Sequence, residues 1–424
     1  MKHIFVLATL LLAFACNTEQ VTITNPEDYQ VYLETSPTRN TSKYFELWNS
    51  KITKDSTQLL SFPIVAGEYN RYFKNTGDIT YLKKAEKALK KAVEIAAINK
   101  SGYYRSLARN YISQHRFKKA LNYAYSARTM GSGVKDSQSL LFDVHMELGN
   151  YAQAEKYLDS IKNFSDFGYL IRAAKWNDYK GDLNTTIALM EHAMKKAEDA
   201  NNKSLKIWSY SNIADYYGHA GRLNDSYEHY LKTLEQDPEN AYAKKGIAWI
   251  VYSYEKNGIE AMRILNTVDN QYKSPDHYLL QAEIAEFMSD EHSRAGSLDA
   301  YYKLVQNPDY GTMYNIPNID VYLSTNSNYK KALKLAQQEV GNRATPETYS
   351  VLAYAHFKNG NLSTAVDILE EHVQGKTFEP AALLKASEVF KTAGRTEQLA
   401  NLKKELLGSI FELGPLAEKN INTL

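Results

Sequence analysis

Residues 207–240 read IWSYSNIADYYGHAGRLNDSYEHYLKTLEQDPEN. Ile213-Ala214 and Tyr217 recur at three- and four-residue steps, Gly221 interrupts, and Leu223, Tyr230 and Leu234 resume the pattern before Pro238. Apolar residues at such steps share one face of a helix. A glycine between two such runs ends the first helix at low steric cost, and a proline closes the second. The stretch is therefore one helix pair. Ala214, eighth from Ile207, is small enough to let the second helix lie close against the first.

The same register recurs along the chain. Residues 101–134 carry Leu107-Ala108, Tyr111, Phe117, Ala120, Ala124 and Ala127, and 135–166 carry Leu141, Leu148-Gly149-Asn150-Tyr151, Ala154 and Leu158. Residues 167–203 have Leu170, Ala173-Ala174, Gly181 and Ala193, while 346–379 and 380–410 repeat the pattern around Gly360 and Gly394. Looser fits are 58–98, through Tyr69, Gly77, Ala85 and Ala92, and 241–273, with about three extra residues before Gly258. Residues 274–312 and 313–345 match poorly, and Pro308, Gly311 and Pro317 predict a bend near 305–320.

Over roughly 58–410 the pattern resembles the tetratricopeptide repeat. The expected fold is all-α: a tetratricopeptide-type helix-pair solenoid, or superhelix, of about ten units of which several are degenerate. Such pairs leave an apolar face open, so neighbours stack and share a core. The expected organisation is a signal peptide at 1–15, a lipidated cysteine and polar tether at 16–42, and an N-terminal helical region with a divergent repeat at 43–100. A regular array at 101–273, degenerate repeats at 274–345 and C-terminal repeats with a cap at 346–424 follow.

Met1-Lys2-His3, the apolar run Ile4–Ala15 and the small Ala15 are the three parts of a secretory signal. The run is shorter than the roughly 20 residues a bilayer span needs. Cys16 is the only cysteine, and it is expected to carry lipid, because its thiolate resembles the acceptor of bacterial lipoproteins. The mature chain then has no thiol left for a disulfide or metal site. Residues 17–42 are polar and read as a tether, with a short docked turn at Val31-Tyr32-Leu33. This start, joined to the repeats, resembles the tetratricopeptide "cell surface" lipoproteins of flavobacteria. That resemblance implies outer-membrane placement, facing the periplasm or the outside, and a binding or scaffolding role.

Lys plus Arg (50) balances Asp plus Glu (49), which leaves no electrostatic drive toward nucleic acid. The 33 tyrosines suit both helix packing and binding surfaces. Zinc-protease, paired-cysteine, phosphate-loop and nucleophile-elbow spacings are missing from the sequence. No catalytic residue, metal site or cofactor is expected. His145 and His356 fall at the eleventh position of their units, where Tyr111 and Tyr217 stand elsewhere, and read as packing histidines. Asp215 and His219 read as a solvated pair one turn apart.

The expected site is a surface. In tetratricopeptide solenoids the concave wall is lined by first-helix positions near two, five, nine, twelve and thirteen. Carried over, this gives Arg105, Arg109, Asp143, Lys175, Tyr179, Trp208, Asp215, His219, Tyr242, Lys245, Trp249, Tyr252, Tyr354 and Lys358. Trp208, Tyr242, Trp249 and Tyr252 are expected to form an aromatic patch across two units. Aromatic and cationic residues give large rigid contacts and charge-assisted hydrogen bonds. The Lys/Asn arrangement that clamps a C-terminal carboxylate in some of these domains is not matched, because Arg105 and Arg109 occupy those positions. The leading expectation is a lipid-anchored envelope scaffold for a protein or peptide partner. The alternative is a helical ligand- or glycan-binding lipoprotein assisting outer-membrane uptake. Enzymatic activity ranks last.

Overall fold

The computed structural model describes residues 22–34, 41–53, 57–269, 272–325 and 328–424. The signal at 1–15 and Cys16 lie outside the described residues, as do parts of the expected tether. Two short helices, α1 (Pro26–Leu33) and α2 (Lys43–Asn49), come first. The first three pairs are α3 (Ser61–Thr76) with α4 (Ile79–Ile95), α5 (Lys100–Ser113) with α6 (Phe117–Thr129), and α7 (Val134–Glu147) with α8 (Tyr151–Ser160). Next come α9 (Phe167–Tyr179) with α10 (Leu183–Asp199), α11 (Lys203–His219) with α12 (Leu223–Gln236), and α13 (Ala241–Trp249) with α14 (Gly258–Val268). The last four are α15 (Pro275–Phe287) with α16 (Glu291–Val305), α17 (Asn315–Ser324) with α18 (Tyr329–Asn342), α19 (Pro346–Lys358) with α20 (Leu362–His372), and α21 (Pro380–Thr392) with α22 (Thr396–Gly408). A final helix, α23 (Ile410–Asn422), kinks at Gly414. The described chain is thus ten stacked pairs, a tetratricopeptide-type solenoid. No helix among the described residues is long and apolar enough to cross a membrane.

Local chemistry explains the pairs. Ala108, Ala174, Ala214, Ala248 and Ala353 are wholly buried at the close approach of the two helices. Gly149, Gly181, Gly221 and Gly360 take the left-handed conformation in the turns, where a Cβ carries a steric penalty. His115, Lys256 and Ser289 adopt it where the turn has no glycine, so the turn survives the loss of the glycine. Side-chain caps start many second helices: Asp182 accepts from the Thr185 N–H at 3.0 Å and Asn257 from the Glu260 N–H at 3.1 Å.

The sixth pair corrects the expected insertion. Gly258 is not its turn residue but the first residue of α14. Ala214 precedes the turn residue Gly221 by seven positions, and Ala174 precedes Gly181 by seven, whereas Ala248 precedes Lys256 by eight. One residue is extra, and the π-helical segment Ile250–Tyr254 that continues α13 absorbs it. The stretch 274–345, poor in sequence match, still folds as two pairs. Between them a 3₁₀ turn, Pro308–Tyr310, packs Tyr310 against Ile79 and Leu82 of the first pair.

The expected tether is also corrected. Over residues 22–34 the chain is docked rather than free, because it buries apolar side chains and satisfies its backbone on the fifth and sixth pairs. Tyr29 is fully buried and its hydroxyl donates to Glu260 Oε1 at 2.6 Å. The Ile23 and Thr24 N–H groups donate to Glu255 Oε1 at 2.8 and 2.7 Å, and Tyr227 donates to the Asn25 carbonyl at 3.1 Å. Replacing Glu255 with Ala removes charged acceptors, each such bond being worth about 1.5–3 kcal/mol. Hydrogen exchange at the Ile23 and Thr24 amides should then accelerate by about a hundredfold; an unchanged rate would show that Glu255 does not hold the segment.

The long-range arrangement follows one rule. The turn of each early pair meets the connection that precedes the pair six places later. Thr76 accepts from the Lys273 N–H at 2.7 Å, and the His115 carbonyl accepts from the Thr312 hydroxyl at 3.3 Å. Gly149 lies against Ala344, where a Cβ would stand 2.7 Å from the carbonyl oxygen, and Gly181 lies against the Phe378 ring. His219 reaches Glu412 at 3.8 Å. These partners are 193 to 197 residues apart in the chain. Six pairs therefore complete one superhelical turn, and the second turn lies directly on the first along a continuous seam.

Candidate binding surface

The seam and neighbouring pairs engage most of the expected concave wall. Arg105 donates to the Ser132 carbonyl at 3.0 Å and to Ser137 Oγ at 3.3 Å. Asp143 accepts from Arg172 at 2.7 Å, and Lys175 pairs with Glu147 at 2.7 Å. Tyr179 stacks on Tyr151 with ring centroids 4.0 Å apart. Lys245 pairs with Asp276, and Tyr354 donates to Glu388 Oε2 at 2.6 Å with the Lys358 ammonium 4.9 Å from its ring centre. Arg109 alone among these cations has neither a hydrogen bond nor an ion pair from its head group within the described residues.

The expected four-residue aromatic patch does not form. Trp208 packs edge-on against Phe167 of the preceding pair at 5.8 Å. Tyr242 donates to Asp215, which also accepts from Tyr230, both at 2.5 Å. Asp215 is therefore a half-buried acceptor of two tyrosine hydroxyls, and its desolvation raises its pKa. Tyr252 is fully buried and donates to Glu283 at 3.1 Å. The extra residue of the π segment puts it in the place held by Tyr111 and Tyr217, which donate to Glu86 at 3.1 Å and Glu191 at 2.9 Å.

Trp249 is covered by the chain's own last helix. Its indole N–H donates to the Phe411 carbonyl at 3.0 Å, and the Ser253 hydroxyl donates to the same oxygen at 2.6 Å. Lys256 pairs with Glu418. Gly414 sits against Trp249, Tyr252 and Glu283. The stretch expected to be a cap is thus the occupant of the inner aromatic site.

Carboxylates gather where α23 closes this contact. Desolvation by the surrounding helices raises the pKa values of Asp178 and Glu379; it also raises Glu412, against the opposing charge of His219. Burial pushes Glu283 up to about 7, although the Tyr252 hydroxyl acts in the other direction. Groups with raised pKa bind more protons in the folded state, so their contribution is present at low pH and is lost as pH rises through those values. Exchange protection of α23 amides, corrected for intrinsic rates, should therefore fall between about pH 5 and about pH 8. Constant protection would show that these carboxylates do not govern docking.

A different surface escaped the sequence reading. Ile98, Met130 and Phe164 are 78, 52 and 52% exposed and stand on the connections before the second, third and fourth pairs, and Val134, 37% exposed, opens α7. The corresponding connections of later pairs form the seam, but in the first turn no earlier pair meets this edge. The only signal was a large apolar residue two to four positions before α5, α7 and α9.

No protein-family model matches the chain, and no curated protein matches it. Among solved structures it is similar to the human IFIT1 dimer with m7Gppp-AAAA, at 15% identity and a TM-score of 0.47 over 80% of this chain and 76% of that one. It is also similar to a tetratricopeptide repeat protein from Parabacteroides merdae (14% identity, TM-score 0.39, covering 55% and 92%). A Rap protein complexed with competence and sporulation factor gives 15% identity and a TM-score of 0.44 over 62% and 78%. These superpositions are loose, so the fold assignment stands on the helix pairs themselves.

Proposed function

We propose that the chain is a lipid-anchored envelope protein that acts as a protein–protein interaction scaffold. The observation that carries this reading is the exposed apolar edge of the first superhelical turn. Exposed apolar surface that goes beyond scattered single residues marks interaction sites, and exposed Ile98, Met130 and Phe164 recur on the connections before the second, third and fourth pairs. The inner wall, occupied by the chain itself, supports the extended-peptide version of this reading less well. Lipid on Cys16 would hold the body close to the bilayer, because the six residues before Ile23 reach at most about 20 Å when extended.

Two experiments test the parts separately. Full-length protein should co-isolate a specific envelope protein, and changing Ile98, Met130 and Phe164 together to Ser should abolish that capture without altering the melting temperature. Capture that survives the triple change would sink the proposed edge. For the anchor, Cys16→Ser should abolish fatty-acid labelling, and persistent labelling would refute it. Glycan binding by the full-length protein, without a protein partner, would favour the uptake reading instead.

A further inference from the structure

Where the seam begins, the first two pairs and the start of the second turn enclose a cleft of about 440 Å³. Its walls come from α3, α4 and α5, with Tyr272 closing it from the second turn. That volume lies in the range of small-molecule sites, roughly 300–1,000 Å³. Phe73 and Leu82 supply an apolar wall, and Lys74, Arg109 and Asn70 supply polar groups.

The charges in this cleft are unlike those on the rest of the inner wall. Arg105, Arg172, Lys175 and Lys245 each have a carboxylate partner. Neither the Arg109 guanidinium nor the Lys74 ammonium has a hydrogen bond or ion pair among the described residues. Burial within the lumen lowers the Arg109 pKa, Asp143 and Asp136 oppose this, and the like charges of Arg172 and Arg105 add to it. Arginine nevertheless keeps its proton, so the cleft holds two cations whose head groups have no direct hydrogen-bonding or ion-pair partner among the described residues. Asn110 completes the polar side: its Nδ2 donates to Asn70 Oδ1 at 3.2 Å and to the Leu82 carbonyl at 3.1 Å, while its Oδ1 accepts from Gln114 at 2.7 Å. The Asn70 amide is thereby oriented with its own N–H₂ free to donate.

We propose that this cleft binds a small organic oxyanion, a carboxylate or phosphate monoester, whose apolar body lies on Phe73 and Leu82. Arg109 presents a planar fork suited to two oxygens, Lys74 adds a point charge, and Asn70 adds a neutral donor. Because Tyr272 belongs to the second superhelical turn, the ligand bridges the seam. Binding only to the closed form stabilises it by linkage.

The test uses full-length protein in detergent and calorimetric titration with phenyl phosphate, benzoate, inorganic phosphate and the neutral benzyl alcohol. At least one aryl oxyanion should bind in the millimolar range or tighter and raise the melting temperature, and which of the two binds more tightly distinguishes phosphate from carboxylate. Inorganic phosphate should bind more weakly, and benzyl alcohol should not bind. Arg109→Gln should weaken the better aryl oxyanion by about tenfold or more, and Lys74→Gln should weaken it less. Since neither head group has a hydrogen bond or ion pair among the described residues, both variants should melt close to the wild-type temperature without ligand. Failure of both aryl oxyanions to bind would overturn the proposal. Unchanged affinity in Arg109→Gln, or equal binding of benzyl alcohol, would do the same.

Discussion

A chain ending at Ser409 should lose the cover on Trp249 and melt well below the full-length protein. The truncation removes α23, whose Ile421 is fully buried and whose Ala417 is nearly so, against Leu383 and Leu406. Burying an isoleucine side chain is worth about 1.5–3 kcal/mol, and each hydrogen bond to the Phe411 carbonyl contributes about 0.5–1.5 kcal/mol. With the other half-buried side chains of the helix, the loss is on the order of 5 kcal/mol. Hydrogen exchange should also rise at 216–219 and 249–254, the residues beneath the helix. Gly414→Ala should give a weaker version of the same phenotype. Its φ of 79° and ψ of 166° are essentially confined to glycine and cost about 1–3 kcal/mol for another residue. A truncated chain with unaltered melting and exchange would mean that α23 does not dock.

The second large effect should come from one methyl group in α13. A Cβ at Gly246 would stand 2.2 Å from the nearest Tyr230 ring atom and within 2.6 Å of two more. The ring cannot retreat easily, because its hydroxyl is held by Asp215 and its body is buried between the fifth and sixth pairs. Gly246→Ala should therefore destabilise by about 1–3 kcal/mol through overpacking, despite the better helix propensity of alanine. Gly296, in α16 with nothing within 4 Å of its Cβ position, supplies the contrast. There the same change should stabilise by about 0.5–1 kcal/mol. Thermal melting of both variants checks the pair, and equal signs would contradict the packing account.

The helix pairs were legible because they are encoded locally. Ala108, Ala174 and Ala214 mark the close approach, and Gly149, Gly181 and Gly221 mark the turns, all within one repeat length. The seam was not legible for a physical reason. Its bonds use backbone carbonyls at Thr76 and His115 and backbone or side-chain groups of differing type opposite them, so no residue pattern announces it. The group that covers Trp249, Phe411, lies 162 residues later, beyond the reach of a repeat-by-repeat pattern. Tyr252 failed for a different reason. One inserted residue turns a helix by about 100°, which rolls Tyr252 from the expected wall into the core position that Tyr111 and Tyr217 hold. In the candidate cleft, Arg109 was legible from repeat position, whereas Lys74 and Asn70 sit in the loosely matching first pair and Tyr272 arrives only through the seam.

The second superhelical turn closes onto the first. Lys256 and Glu418 form the ion pair across that contact at α23, and Lys175 with Glu147 forms an ion pair between neighbouring pairs. A carbodiimide joins an amine to a carboxylate without adding a spacer, so it reports direct contact. Treatment of the monomeric full-length protein, followed by peptide mass spectrometry, should yield both the Lys175–Glu147 and the Lys256–Glu418 cross-links. Recovery of the first without the second would contradict the closed superhelix.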